Sequence, residues 1–270
     1  MTRPIVFCTD YGLEDEFVGV CHGVIARITP DALVIDLTHG IPPRDVLAGA
    51  CALENAVGFV PEDAVFLAVV DPGVGTSRMS VAVESASGIL LVGPDNGLLS
   101  LAWQALGGVR RAFEILNQDL MLRPVSATFH GRDVFAPVAA HLARGTAPDA
   151  VGERLPAESL VTVVVPRPRV VDGELRCTVR AVDRFGNVQL EAGEEDLEGA
   201  RFGSVGGLRA TAGERAATLR RVRTFAEGSP EETVLLVDST GRLKIAVNGG
   251  SAAQTLDAAP GGVVALAPVG

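Results

Sequence analysis

The stretch Ile5-Val6-Phe7-Cys8-Thr9-Asp10-Tyr11-Gly12 sets the pattern from which the fold is read. Four successive apolar residues indicate the first strand, and the polar, Gly-containing turn that follows ends it. Beyond the turn, Phe17, Val20, Val24, Ile25 and Ile28 recur at helical spacing until Pro30 stops the helix. Leu33 to Leu37 reads as a second strand, with Thr38-His39-Gly40-Ile41-Pro42-Pro43 as its loop. Asp45 is placed to cap a helix that turns Val46, Ala50, Leu53 and Val57 inward, and Val65 to Val70 is a third apolar strand. Strand, helix and strand in alternation predict an α/β domain around a mostly parallel sheet.

The third strand runs into Asp71-Pro72-Gly73-Val74-Gly75-Thr76-Ser77-Arg78, too rich in Gly and Pro to be anything but a loop. Val81 to Val83 and Ile89 to Val92 flank a turn at Gly88 as a hairpin. Leu98 to Leu106 reads as a short helix, Ala112 to Leu116 as a strand, and Asp133 to Arg144 as a helix closed by Gly145. The texture changes from Thr146, where Pro148, Pro156, Pro166 and Pro168 crowd together. The expected division is an N-terminal α/β domain over 1–150, a linker over 151–170 and a smaller C-terminal domain over 171–270. In the last, Arg176 to Val182, Val188 to Leu190, Val234 to Val237, Leu243 to Val247 and Val263 to Leu266 read as strands, with Asp172-Gly173 as a hairpin turn. A small antiparallel barrel or sandwich accommodates them.

The chain has 270 residues, 47% of them hydrophobic, enough for one large domain or two ordinary ones. No apolar run approaches the roughly 20 residues of a membrane span, and no signal peptide is read, so a cytoplasmic protein with no membrane partner is expected. A formal charge of −10, without any basic run interleaved with aromatics, argues against nucleic acid. Cys8, Cys21, Cys51 and Cys177 lack CxxC spacing and are expected as buried reduced thiols.

Asp10, Asp36, Asp71 and Asp95 fall at or just past strand ends, the edge of an α/β sheet where ligands bind. Each can equally cap a helix or close an Asx turn. Asp10, beside the chain's one Tyr and near Gly12, suits the two hydroxyls of a ribose. Of four histidines, His22 and His141 lie within helical patterns, His39 suits either a turn or a ligand, and His130 stands at a loop-to-helix junction in Thr128-Phe129-His130-Gly131-Arg132-Asp133. Without HExxH or paired Cys/His spacing, no metal site is expected. Gly73-Val74-Gly75 is not a dinucleotide or phosphate loop. Asp183-Arg184-Phe185-Gly186-Asn187, Asp238-Ser239-Thr240-Gly241-Arg242 and Asn248-Gly249-Gly250-Ser251-Ala252-Ala253 read as β-turns that also suit contacts to a nucleoside and an amino acid.

These motifs, in this order, resemble the S-adenosylmethionine hydroxide adenosyltransferase family, relatives of bacterial fluorinating and chlorinating enzymes. The resemblance implies an N-terminal α/β domain, a C-terminal β-barrel, and a homotrimer whose sites lie at subunit interfaces. It implies hydrolysis of S-adenosylmethionine to adenosine and L-methionine by attack of water or hydroxide on the ribose C5′, with no cofactor. Asp71, Arg78 and His130 match the catalytic trio. Asp10 matches the residue that holds the ribose diol, and Asp183 and Ser239 those that contact the methionine amine and carboxylate. Phe185, Asn187, Asn248 and Ala252 lie where adenine is held. The halogenating relatives lack the Asp and His of the trio, carry Ser-Arg where this chain has Ser239-Thr240, and have Trp near the position of Arg44.

Three other readings remain open on the residues: a 5′-halogenase of the same fold, a metal-dependent phosphohydrolase using Asp10, Asp36, Asp71 and Asp95, and a nucleoside-binding regulatory module without turnover.

Overall fold

The computed structural model describes residues 2–203 and 206–269, in two units, Met1–Val163 and Val164–Gly270. The first unit runs β1 (Ile5–Thr9), α1 (Phe17–Ile28), β2 (Val34–Thr38), α2 (Val46–Ala56), β3 (Val65–Val69), β4 (Ser80–Ser85), β5 (Leu90–Pro94), α3 (Ser100–Ala105), β6 (Val109–Ile115), α4 (Ala136–Ala143) and β7 (Gly152–Leu155). The strands form one sheet in the order β2-β1-β3-β5-β4-β6-β7. The pairs β1–β2, β1–β3 and β3–β5 are parallel, and β5–β4, β4–β6 and β6–β7 are antiparallel. Five strands therefore point one way, as a mostly parallel sheet requires.

Every residue of β1, β3 and β5 is buried, because helices cover both faces. The two-residue period of a strand sorts the side chains. Ile5, Phe7 and Leu67 pack with Val24 and Ile25 of α1 and Val138 and Leu142 of α4. Val6, Cys8, Phe66 and Ala68 face the other way, against Leu53 of α2 and Ala102 and Trp103 of α3. All four cysteines are buried, and burial pushes the thiols of Cys8, Cys21 and Cys177 up to about 12.

The stretch 151–170, expected as a linker, is in part a strand. β7 pairs with β6, Val161 N–H donates to Asp95 Oδ1 at 2.9 Å, and Val163 N–H donates to Ser100 Oγ at 3.1 Å. These bonds attach the Pro-rich segment to the first unit, and the division falls after Val163. β7 is a short edge strand of sequence Gly-Glu-Arg-Leu, with no apolar alternation by which to read it.

The second unit contains β8 (Arg169–Val171), β9 (Glu174–Val182), β10 (Val188–Gly193), α5 (Glu194–Gly199), β11 (Gly207–Ala212), β12 (Arg215–Arg221), β13 (Thr233–Val237), β14 (Arg242–Val247), α6 (Ala252–Leu256) and β15 (Val263–Pro268). Its strand order is β10-β14-β13-β12-β11-β15-β9-β8, and the further pairing of β10 with β9 closes seven strands into a barrel. All its pairs are antiparallel except β12–β13. Asp172 and Gly173, both at positive φ, make the expected turn between β8 and β9. Among the described residues no helix is long and apolar enough to cross a membrane.

Asp45 caps α2 as its position implied, accepting from Ala48 N–H at 2.9 Å. Asp45→Ala should destabilise the protein by about 1 kcal/mol and Asp45→Asn by much less, read as melting midpoints in urea.

Candidate active site

β1 and β3 lie side by side, yet the chain leaves β1 through α1 toward β2 on one side and leaves β3 toward β4 beyond β5 on the other. Such a divergence opens a crevice at the carboxyl ends of the two strands. A cavity of about 530 Å³ lies there, within the usual range for small-molecule sites. Its lining includes Asp10 and Tyr11 after β1, Val69 and Asp71 at the end of β3, Glu16 and Phe17, and Phe129 with His130. Asp10 Oδ2 accepts from Arg44 N–H at 2.8 Å, and Asp10 lines the cavity.

Two glycines bring the distant segments together. A Cβ on Gly75, whose φ is +76°, would stand 2.4 Å from the Ala127 carbonyl oxygen, so only glycine lets the 71–78 loop press against the segment before His130. A Cβ on Gly131 would stand 2.0 Å from Tyr11 Oη, so the start of the next helical segment closes onto the β1 loop. Residues Gly131–Phe135 form a π-helical turn ahead of α4. Asp133 holds the same loop, accepting from Ser126 N–H at 2.8 Å and from Arg132 Nε at 2.6 Å.

Arg78 joins the three residues of the expected trio. Its Nε donates to Asp71 Oδ1 at 2.9 Å and its Nη2 to Asp71 Oδ2 at 2.5 Å, a bidentate fork with both side chains largely buried. The same Nη2 lies 2.8 Å from His130 Nδ1, and Nη1 donates to Ser80 Oγ at 2.8 Å. A guanidinium has no acceptor, so His130 Nδ1 must offer its lone pair, and the ring is neutral with its proton on Nε2. Burial, then the Arg78 charge, hold the imidazole below its ordinary 6.5, against the pull of Asp71 and Asp133 in the other direction.

The barrel-end residues form a second group within the second unit. Asp183 Oδ1 accepts from the N–H groups of Phe185 and Asn187 at 3.0 Å, and Oδ2 accepts from Asn187 Nδ2 at 2.9 Å. Lys244 Nζ lies 3.7 Å from Asp183 and 3.2 Å from Asp238. Ala253 N–H donates to the Gly186 carbonyl at 2.9 Å, which draws the loop of Asn248 against that of Asp183. Phe185 and Ser239 are exposed, and Asn248 Nδ2 donates to Gly228 O at 2.6 Å. Ala252 is fully buried and packs in the barrel core.

Of the four strand-end carboxylates, Asp10 and Asp71 line the cavity and the other two do not. Asp71 is taken by Arg78, Asp95 is buried against Val161 N–H, and Asp36 lies between His22 and His39.

A family model for the SAM hydroxide adenosyltransferase N-terminal domain matches residues 5–152, and one for the C-terminal domain of the same family matches 177–265. The chain belongs to the SAM hydroxide adenosyltransferase family. Within it, the chain is 50% identical to a Salinispora tropica protein named (R)-S-adenosyl-L-methionine hydrolase, covering 96% of each. A Thermus thermophilus protein of the same name is 41% identical over 94% of this chain and 95% of its own. A fluorinase of Actinopolyspora mzabensis is 30% identical, with 93% of each covered. Among solved structures, an uncharacterized conserved protein of Thermotoga maritima superposes with a TM-score of 0.91 at 36% identity, over 97% of this chain and 99% of that one.

In this member of the SAM hydroxide adenosyltransferase family, the aromatic wall of the cavity was not read from the sequence. Tyr11, Phe17 and Phe129 meet with ring centroids 5.3 to 5.8 Å apart. The available signal was Phe17 at the solvent end of its helix and Phe129 beside His130. An NMR titration of the His130 ring should give a pKa below 6.5, and turnover should persist on the acid side of 6.5 and fall only as pH drops through that lower value. A His130 midpoint at or above 6.5 contradicts the Arg78 contact.

Proposed function

We propose that this chain hydrolyses S-adenosylmethionine to adenosine and L-methionine, with water displacing methionine at the ribose C5′. The observation that carries the reading is the Arg78 fork, which holds the Asp71 carboxylate and a neutral imidazole together at the wall of the cavity.

Methionine departs from a sulfonium as a neutral thioether, so no acid is needed to release it. The difficulty lies in placing a weak nucleophile in line with C5′, at about 3 to 3.5 Å and opposite sulfur. A water that donates one O–H to Asp71 and accepts from His130 Nε2–H keeps its other lone pair for carbon. As the C–O bond forms and the C–S bond breaks, sulfur takes the bonding pair, and one of the two protons of the attacking water passes toward Asp71 or solvent while the other stays as the 5′-hydroxyl. His130 thus orients through a donor, and Asp71 is the acceptor, a division of roles set by the Arg78 contact. The carboxylate also disfavours a halide at the same place, which separates this reading from the halogenase one. No cofactor enters the reaction.

Asp10 takes the ribose hydroxyls. The barrel-end group supplies the remaining contacts: Asp183 to the amine and Ser239 to the carboxylate of methionine, and Phe185, Asn187 and Asn248 to adenine. By the family resemblance these come from a neighbouring chain of a homotrimer.

Incubation with S-adenosylmethionine in ¹⁸O-water should label the adenosine 5′-hydroxyl and leave methionine unlabelled, by mass spectrometry. Adenine as the main product would overturn the reading. His130→Ala should lower kcat by about 10² to 10⁴ with substrate affinity largely kept. Co-expressed with Asp183→Ala, it should regain activity through mixed assemblies if each site draws on two chains, and stay inactive if each site is built from one.

A further inference from the structure

On the edge of the same sheet, three side chains that the proposed reaction does not use converge. His22 of α1 and His39, just after β2, flank Asp36 of β2, with His22 Nε2 at 2.8 Å and His39 Nε2 at 3.2 Å from Asp36 Oδ1. All three ligand atoms lie within 4.8 Å of one another. A tetrahedral zinc with bonds of about 2.0 to 2.1 Å separates its ligand atoms by roughly 3.3 Å, so a small inward or outward shift suffices.

The arrangement is built rather than incidental. The His39 side chain is 3% exposed, and its Nε2 is buried without a hydrogen-bond partner while aimed at the cluster. Its Nδ1 lies 2.8 Å from Thr9 Oγ1, which also accepts from Tyr11 N–H. With the ring proton on Nδ1 and donated to that hydroxyl, the Nε2 lone pair is free, the second-contact pattern of a metal-bound imidazole. The buried ring of Phe7 stands edge-on to both imidazoles, 4.7 Å from His39 and 5.8 Å from His22, and limits their rotation. His22 and Asp36, 34% and 45% exposed, leave the fourth direction open to solvent.

We propose that His22, Asp36 and His39 form a binding site for a divalent transition ion of the zinc class, completed by water. Two imidazoles and one carboxylate suit zinc and its neighbours in preference to magnesium or calcium, which favour all-oxygen shells. The site is distinct from the cavity yet tied to it. The His39 carbonyl accepts from Gly12 N–H at 2.8 Å, so a bound ion would brace the loop that carries Asp10 and Tyr11.

The test uses the full chain, stripped with a chelator and desalted, and does not read turnover, so it stands apart from the hydrolase reading. Calorimetric titration with zinc chloride should show one saturable site per chain and raise the melting temperature, since the ion binds the folded state. Magnesium chloride should do neither. Cobalt(II) in place of zinc should give visible absorption bands of four-coordinate geometry. His22→Ala and Asp36→Asn, each at a solvent-facing position, should each weaken zinc by more than about 10-fold, the lower bound known for changes even one contact removed from the metal. If either fails to fold, His22→Gln carries the same expectation. Absence of saturable zinc binding, or undiminished binding in the His22→Ala/Asp36→Asn double variant, overturns the proposal.

Discussion

The cavity beside Asp10 and Asp71 exists because two neighbouring parallel strands hand the chain off in opposite directions. β1 and β3 are fixed to one another along their whole length by parallel pairing, and neither loop can cross the gap between their ends. Everything else at the site is an answer to that opening. The 71–78 loop folds back along one lip, the 126–133 segment along the other, and Arg78 spans them with one guanidinium. Being planar and always charged, that group can serve a carboxylate and an imidazole at once, and no lysine would reproduce it.

The charge balance of the cavity follows from the same contact. Asp71 and Arg78 cancel, Arg132 is paired with Asp133, and Asp10 and Glu16 leave the lining on the acidic side. A cationic ligand meets favourable potential there, consistent with the acidity of the chain as a whole.

Much of this was legible in the sequence because burial leaves a strong signature. β1 and β3 are apolar runs, Gly88 marks the hairpin of β4 and β5, and Asp172-Gly173 marks that of β8 and β9. β11 and β12 escaped notice since they present Arg, Thr and Ala with only Leu208, Ala210 and Leu219 fully buried, and β7 did so as a polar edge. At the site, motif residues pointed to Asp71, Arg78 and His130, but that one guanidinium nitrogen touches both partners, 52 residues apart in one case, is a fact of packing. The grouping of His22, Asp36 and His39 was equally hidden, since its members come from a helix, a strand and a loop and His22 lies 14 residues from Asp36.

The buried thiols take on another meaning beside a sulfonium. On the proposed reaction the cavity holds an electrophile that transfers alkyl groups to nucleophiles, and sulfur is ordinarily the best nucleophile a protein offers. Cys8 lies on β1 and Cys21 on α1, the two elements that flank the Asp10 loop. Burial pushes both thiols up, away from the reactive thiolate, and neither is exposed. The packing that stabilises the sheet therefore also shields the protein from self-alkylation by its own substrate.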